Sequence, residues 1–312
     1  MLDKLHQRCK RWRVLFNTDK SKCVHFRKVR RKQTKFEFVI GKKRLEKVDQ
    51  YKYLGVTFTF SGNFTENAEI LSKAGGRALG KIISKIHTNK DFGIKANEKL
   101  YYSCVVPFLD YASGVWGYSK YQAVENIQNQ AIRYFLGVHR FAPRLALYGD
   151  IGWIPSYYQR WMNMIRYWNR ILTMDTDRIT RLAFDMDYRF CSNNWCSEIK
   201  DIFQKLELEH VFNSQVPVDM KTAELCILRY YSSLWEDAVQ NVPKLRTYVT
   251  IKSTFEQEEY VKLNLSKTER SHLAQLRCGI LPLRVETRRY IGERPKERVC
   301  QFCDAGHPYE NV

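Results

Sequence analysis

The sequence has no uninterrupted apolar run approaching the roughly 18 residues that a membrane-spanning helix needs. Met1 to Phe16 is amphipathic and rich in arginine, and it has no continuous apolar segment of the kind found in secretory signals. Nine cysteines are an odd number scattered over 312 residues, which argues against a disulfide framework. These absences predict a soluble, intracellular protein that does not enter a membrane.

Common catalytic motifs are also missing. The chain has no Asp-Asp dipeptide, no Gly-x-Ser-x-Gly elbow and no phosphate loop. Asp185 and Asp187 are the nearest approach to a carboxylate pair, and a solvated linker explains them better than a metal site does. The sequence therefore favours binding over catalysis.

Acidic residues are too few to balance the basic ones: 33 Asp and Glu stand against 52 Lys and Arg, a net charge of +19. Residues 1–50 hold 17 basic and 5 acidic residues, and residues 262–300 hold 10 and 4. An excess of this size predicts a polyanionic partner, with nucleic acid the leading choice. The two basic ends either line one groove or make separate contacts.

The spacing of apolar residues predicts a mainly α-helical fold with a small amino-terminal α+β region. A stripe from Leu2 to Leu15 indicates a first helix. Aromatic and β-branched residues then predict strands at Cys23 to Phe26, Phe36 to Ile40 and Tyr51 to Phe58. From Thr65 onward the pattern is almost continuously helical.

Several features subdivide the helical part. Pro107 should kink or split a helix running from Lys95 to Ser113. Serines followed by Gln or Glu three residues later predict capping boxes at Ser119, Ser156 and Ser266. A polar break is expected from 185 to 194, and weaker helices are expected around 195–208 and 220–241.

Basic residues interleaved with aromatics form the candidate binding surface, because arginine binds phosphates and aromatic faces stack on bases. In the helix after Ser156, Trp161 and Trp168 lie on the apolar stripe and are better explained as core. Near the amino terminus the density of charge favours contact. The candidate contacts are Arg8, Lys10, Arg11, Arg13, Lys20, Lys22, Arg27, Lys28, Arg30, Arg31 and Lys32.

The best local metal signal is Cys300-x-x-Cys303 followed by His307. Structural zinc takes four ligands, and a fourth is missing here. An incomplete half-site or plain thiols are therefore expected, and zinc would bind only if the tail were complete.

Four landmarks in order resemble the reverse transcriptases of non-LTR (LINE-type) retrotransposons. Asn17-Thr-Asp-Lys20-Ser-Lys22 is similar to the palm segment after the catalytic aspartates, and Tyr51-Lys-Tyr-Leu-Gly-Val56 to the primer grip. Val106-Pro-Phe-Leu-Asp-Tyr111 resembles the thumb region. Leu276-Arg-Cys-Gly-Ile-Leu-Pro-Leu283 leads into a Cys- and His-containing tail. The resemblance spans nearly the whole chain.

This resemblance implies the carboxy-terminal part of an RNA-directed DNA polymerase from a mobile element, found in the nucleus and acting on RNA, DNA or their hybrid. It makes Lys20 a candidate to assist pyrophosphate release, and Tyr53, Leu54 and Gly55 a primer grip. Lys20 is equally well explained as a phosphate contact or a solvated turn residue. The implied ranges are 1–60 for a palm remnant, 61–140 for a thumb, 141–262 for a helical region with a linker near 185–194, and 263–312 for a basic helix and zinc-knuckle-like tail.

Two other functions stay open beside the resemblance. One is a helical protein that binds nucleic acid without any catalysis, and the other is a zinc-dependent adaptor. The salt dependence of binding to an RNA–DNA hybrid, compared with duplex DNA, separates the first from the polymerase-like function, and metal analysis of the purified protein tests the second. The oligomeric state and any preference for nucleic-acid sequence are not predicted.

The polymerase's Mg²⁺ ions need a carboxylate pair, which in this family precedes the segment that Asn17 begins. Because a two-metal reaction cannot proceed without those carboxylates, we expect purified chain to extend no primer in the presence of Mg²⁺. Extension on an RNA template, scored on a sequencing gel beside an active polymerase, is the measurement. Any Mg²⁺-dependent product from this chain alone would contradict the expectation.

Overall fold

The structure, a computed structural model, describes residues 1–89, 91–281, 288–294 and 297–298. The chain divides into a first unit, Met1–Lys73, and a second unit, Ala74–Val312, with the boundary inside one long helix. The mainly helical fold class is confirmed. The four ranges suggested by the family resemblance, and the palm remnant among them, stay predictions.

The first unit contains a short helix, small strand pairs and the start of a long helix. Strands β1 and β4 pair in parallel, with Lys22 opposite Glu46, while β2 with β3 and β5 with β6 pair antiparallel. The elements are α1 (Leu2–Arg11), β1 (Lys22–Val24), β2 (Val39–Ile40), β3 (Lys43–Arg44), β4 (Glu46–Val48), β5 (Gln50–Tyr53), β6 (Val56–Thr59) and α2 (Thr65–Thr88).

The amino-terminal helix forms as predicted, but its apolar stripe is not buried. The helix ends at Arg11, no residue in it is buried, and Trp12 and Leu15 are 70% and 96% exposed. The helix approaches the β2–β3 turn closely at one point, where the His6 ring lies against Gly41 and an added Cβ would come within 2.7 Å of His6 Cε1. The stripe thus correctly predicts the helix, while its apolar side chains stay partly or fully exposed.

The strand predicted from Tyr51 to Phe58 is two strands joined by a tight turn. Leu54 and Gly55 have φ angles of +46° and +87°, and both central residues of a type I′ hairpin turn need positive φ. The other two predicted strands are shorter than expected, since only Lys22–Val24 and Val39–Ile40 are paired.

The second unit is built from helices. It begins with the remainder of α2 and continues with α3 (Ile94–Cys104), α4 (Val106–Leu109), α5 (Ser113–Trp116), α6 (Gln122–Leu136), α7 (Arg144–Ile151), α8 (Ser156–Leu172), α9 (Ile179–Phe190), α10 (Trp195–Lys205), α11 (Glu209–Ser214), α12 (Met220–Gln240), α13 (Arg246–Ile251), α14 (Glu259–Lys262) and α15 (Lys267–Arg277), with 3₁₀ helices at Pro243–Leu245 and Arg288–Ile291.

One proline and one glycine determine how the first helices of this unit end and pack. The helix predicted from 95 to 113 is split, because α3 ends at Cys104 and Pro107 lies in the first turn of α4. Gly75 permits close helix packing, because a Cβ there would lie 2.4 Å from Leu109 Cδ2. The break expected from Asp185 was wrong over most of its length, since α9 continues to Phe190.

Of the three predicted capping boxes, one is confirmed. Ser266 accepts a hydrogen bond from the Glu269 backbone N–H, and Glu269 accepts one in return, at the start of α15. The boxes at Ser119 and Ser156 were wrong: Tyr121 and Pro155 precede the helices, and neither helix has a side-chain cap. The Ser156 hydroxyl instead accepts a hydrogen bond from Arg160.

Large aromatic side chains form the core of the second unit. Trp161 and Trp168 are 1% and 0% exposed, which confirms that they are core residues and not base-stacking platforms. Trp168 stacks on Phe212 with ring centroids 5.5 Å apart and packs edge-on against Phe203 at 5.3 Å. The described helices 195–205 and 220–240 confirm the weaker helical predictions.

A buried carboxylate, Asp150, joins the last helices to α7. It accepts hydrogen bonds from the hydroxyls of Tyr248 and Tyr260 at 2.9 and 2.8 Å, and Arg277 binds both of its oxygens. Burial raises the pKa of both phenols well above their ordinary range, so they stay protonated and can donate. The cation of Arg277 is thus used inside the fold.

A second buried cluster places two carboxyl groups near one guanidinium. Arg160, which is fully buried, lies 3.3 Å from a Glu125 oxygen and 3.9 Å from Asp110 Oδ1. Burial raises the pKa of Asp110 to about 7, because it outweighs the opposing effect of the Arg160 guanidinium, and burial also raises the pKa of Glu125. The Asp110 carboxyl therefore takes up a proton far more readily than an exposed aspartate does.

This cluster predicts a pH-dependent stability. The folded chain keeps a proton on Asp110 that the unfolded chain, with a pKa near 3.8, releases. The contribution of this carboxyl to the free energy of unfolding is therefore complete below about pH 4 and is lost as the pH rises through about 7. We expect Asp110→Asn to flatten the fall in melting temperature between about pH 4 and pH 7.

The exposed Asp177 offers a matched control, because Asp177→Asn makes the same chemical change outside any cluster. Melting curves of the three proteins across this range are the measurement. Equal slopes in the Asp110 variant and the unsubstituted chain would show that Asp110 ionises normally.

Candidate nucleic-acid interface

The predicted cationic contacts are concentrated in the first unit. Residues 1–73 hold 19 Lys and Arg against 7 Asp and Glu, a net charge of +12 out of the chain's +19. Most of the candidate cations are exposed to solvent. These are Arg8, Lys10, Arg11, Arg13, Lys20, Lys28, Arg30, Arg31 and Lys32.

The end of α1 combines positive charge with an exposed indole. Arg8 and Arg11 lie in the last turn, where cations are favoured by the negative end of the helix dipole. Arg13 stops the helix with φ +53°, and its backbone N–H donates to the Lys10 carbonyl. Trp12 lies between these cations with 70% of its surface exposed. The arrangement suits phosphates beside an unstacked base.

The turn that carries Lys20 is held by local hydrogen bonds. The Lys20 N–H donates to Asn17 Oδ1 at 3.0 Å, and the Ser21 hydroxyl donates to the Asn17 carbonyl at 2.8 Å. The Lys20 side chain is exposed. The structure thus fixes the backbone of this turn and leaves the ammonium in solvent, as expected of a solvated turn residue.

A single hydrogen bond brings this turn to the β5–β6 hairpin. The hydroxyl of Tyr51 donates to the Lys20 carbonyl at 2.9 Å. Two motifs that lie 31 positions apart in the sequence are therefore adjacent within the first unit. Lys22, next to this turn, forms an ion pair with Glu46, the residue opposite it on β4. Its ammonium therefore stabilises the pairing of β1 with β4.

The hairpin tip is exposed. Tyr53 and Leu54 have 59% and 74% of their surface accessible, so neither is a core residue. Leu54 also has a left-handed backbone, which costs a residue with a Cβ about 1–2 kcal/mol. An apolar residue kept in a strained and exposed turn is a feature often found at binding sites.

The dense basic run from Arg27 to Lys32 separates into two kinds of cation. Arg27 pairs with Asp49 at 2.8 Å, donates to the carbonyls of His25 and Arg31, and lies over the Phe60 ring at 4.2 Å. Its side chain is only 9% exposed, so its contacts are internal to the unit. The remaining cations of the run, Lys28, Arg30, Arg31 and Lys32, face solvent.

Two exposed aromatic residues near the basic run were not predicted as part of the surface. Phe26 and Phe36, which the pattern assigned to strands, are 59% and 66% exposed, and Lys35 beside Phe36 is exposed too. Their position in the sequence could have marked them, because each is adjacent to a basic residue, Phe26 to Arg27 and Phe36 to Lys35. Alternation of aromatic and basic residues is a better guide to a surface of this kind than strand propensity is.

The basic segment near the carboxy terminus is used differently. Arg270 is 1% exposed, donates to the Phe135 carbonyl and pairs with Asp91. Together with Arg277 on Asp150, it connects α15 to earlier helices of the second unit. These two cations of the second basic end therefore stabilise the fold.

The metal candidates Cys300, Cys303 and His307 lie outside the described residues. Within the described ranges no group of three His, Cys, Asp or Glu side chains is arranged to hold a metal ion. Asp185 and Asp187 lie on α9, and Asp185 pairs with Arg181 at 3.0 Å. In the same ranges, no helix is both long enough and apolar enough to cross a membrane.

Comparison with known proteins adds no family to this description. The chain matches no protein-family model, no curated protein and no solved structure. What the surface binds is therefore inferred from the chemistry of its side chains, which are cationic with exposed aromatics between them.

The hairpin turn yields a local test. Asn is far better suited than Leu to the left-handed position before Gly in a type I′ turn, so Leu54→Asn should stabilise the hairpin by about 1 kcal/mol. Protection of the 50–59 amides from hydrogen exchange should rise by a factor of about 5. Leu54→Val, which is β-branched, should lower it. A loss of protection in Leu54→Asn would mean that Leu54 packing outweighs its backbone strain.

Proposed function

We propose that this chain is the carboxy-terminal part of a non-LTR retrotransposon reverse transcriptase whose first unit binds nucleic acid, with an RNA–DNA hybrid or an unpaired strand as the preferred ligand. On its own the chain binds and does not polymerise, because it lacks the carboxylate pair. The Mg²⁺ ions belong to the larger enzyme.

The observation that carries this proposal is the hydrogen bond from Tyr51 to the Lys20 carbonyl. It joins the two segments that resemble the palm lysine and the primer grip. An exposed lysine beside an exposed hairpin tip is what a surface needs in order to contact a sugar–phosphate backbone at one strand end.

Electrostatics supports the same conclusion. A net charge of +12 over residues 1–73 attracts a polyanion, and each cation that contacts a phosphate releases condensed counterions. Exposed Trp12 and Tyr53 add faces on which unpaired bases or riboses can pack. Binding should therefore weaken steeply with salt and should favour hybrid or single-stranded ligands over duplex DNA.

A second candidate is a non-catalytic helical protein that binds nucleic acid through charge alone. The observation that favours it is the number of exposed cations on short, solvent-facing segments, which needs no hybrid-specific geometry. This candidate predicts equal affinity for hybrid and duplex DNA of the same length. It also predicts no role for the hairpin tip.

Binding of a labelled RNA–DNA hybrid, followed by fluorescence anisotropy over a range of salt, tests the proposal. Lys10→Gln/Arg11→Gln should reduce the slope of log K against log salt by about 1 for each phosphate that the variant no longer neutralises. Lys221→Gln/Arg229→Gln on α12 removes the same charges from exposed positions of the second unit and should leave the slope unchanged. Equal effects of both pairs would assign binding to net charge.

The hairpin tip separates the two candidates. Tyr53→Ala should weaken hybrid binding by about 1 kcal/mol, the low end for an aromatic that stacks on a base. Phe190→Ala removes an aromatic ring of α9 that is 76% exposed and should have no effect. If Tyr53→Ala binds hybrid and duplex DNA as the unsubstituted chain does, the reverse-transcriptase proposal loses its support and the second candidate stands.

A further inference from the structure

The second unit has a groove that the nucleic-acid interface does not use. It lies between α2 on one side and α3 and α4 on the other, with a volume of about 590 Å³. This is within the range of pockets that bind ligands. Its lining residues are Ala74, Arg77, Ala78, Lys81, Ile82, Lys85, Asn89, Phe92, Leu100, Cys104 and Phe108.

Packing at one end explains why the groove exists. Gly75 allows Leu109 to approach the backbone of α2, and a side chain there would collide with it at 2.4 Å. The apolar side chains of α2 that line the groove are Ala74, Ala78 and Ile82, and the two alanines are too small to fill the space toward α3. The floor is therefore an open apolar channel along the helix.

The far side of the groove is also apolar. Leu100 and Cys104 of α3, Phe108 of α4 and Phe92 line it. Phe92 and Phe108 are 41% and 48% exposed although their rings border an apolar surface. Side chains of this kind gain free energy when a partner removes them from water.

The rim is cationic. Arg77, Lys81 and Lys85 are exposed at intervals of four on α2, and none has an ion-pair partner among the described residues. With a rise of 1.5 Å per residue, they form a row about 12 Å long beside the apolar floor. The buried Arg160 and Arg270 of this unit each have an acidic partner, so the row differs from them.

We propose that this groove, the α2–α3 groove, binds an acidic amphipathic helix of a protein partner. An apolar channel takes the leucine-type side chains that such a helix presents at intervals of three and four. Carboxylates on the flank of the same helix meet the row of cations at the matching interval of four. Nucleic acid fits less well, because phosphates satisfy the rim but leave the aliphatic floor exposed to water.

Binding of a fluorescent peptide about four helical turns long tests the proposal. The peptide has leucines every three or four residues and glutamates on the flanking positions. A second peptide has the same composition in an order without helical periodicity. The full chain should bind the first peptide at least tenfold more tightly than the second. Equal affinity for both would reduce the attraction to net charge and overturn the proposal.

Two variants of the chain locate the site. Lys81→Glu/Lys85→Glu should weaken binding of the amphipathic peptide at least tenfold. Lys95→Glu/Lys99→Glu on α3 makes the same change at exposed residues with the same spacing, outside the groove, and should change affinity less than twofold. Similar losses in both variants would exclude the groove as the docking surface.

A third variant tests the floor without changing charge. Ala78→Trp fills the channel and should weaken peptide binding as much as the charge reversal does. Circular dichroism melting of each variant checks that the fold is kept, and hybrid binding through the first unit provides an independent readout. If Ala78→Trp leaves peptide affinity intact while Lys81→Glu/Lys85→Glu lowers hybrid affinity, the groove is a nucleic-acid surface and the proposal fails.

Discussion

The architecture of the second unit depends on the buried carboxylate of Asp150. It is the shared acceptor for residues on α13, α14 and α15, which are separated from it by about a hundred residues of chain. Gly149 makes the arrangement possible, because a side chain there would lie 2.5 Å from the Tyr248 hydroxyl and 2.4 Å from Trp235. A carboxylate with donors on both oxygens can be buried, whereas an unpaired one costs several kcal/mol. The last helices are therefore tied to the body through polar as well as apolar contacts.

The sequence predicts the helices of this unit well because helical periodicity is a local property. Trp161 and Trp168 lie on a stripe that only burial explains, and the Ser266 to Glu269 box needs no distant partner. The similar pattern at Ser156 fails for a non-local reason: the hydroxyl is taken by Arg160, whose position depends on Glu125 from another helix. The hairpin at Leu54 and Gly55 was missed because aromatic and β-branched residues continue through the turn, and a Leu in the left-handed position is not a turn signal.

The sequence predicts which segment carries the candidate interface, but it does not predict which residues of that segment are exposed. Charge density alone marks residues 1–50, and the structure leaves most of those cations exposed. Charge density cannot distinguish Arg27, whose contacts with Asp49 and Phe60 are internal to the unit, from Lys28 next to it, which faces solvent. The same limit applies to Arg270 and Arg277, which look like binding residues in the sequence and are partners of Asp91 and Asp150 in the fold. Whether an arginine is structural depends on an acid that folding brings from far along the chain.

This division of roles makes the remaining exposed groups informative. Each buried arginine of the second unit discussed above has a carboxylate or carbonyl partner, as Arg160 and Arg270 do. Positions where another residue approaches the backbone closely are glycines, as at Gly75 and Gly149. The exposed cations beside Trp12 and the row from Arg77 to Lys85 form no ion pair with any other described residue. Positions where a sequence breaks a local folding rule, as Leu54 does in its left-handed turn position, are the ones at which a functional reason is expected.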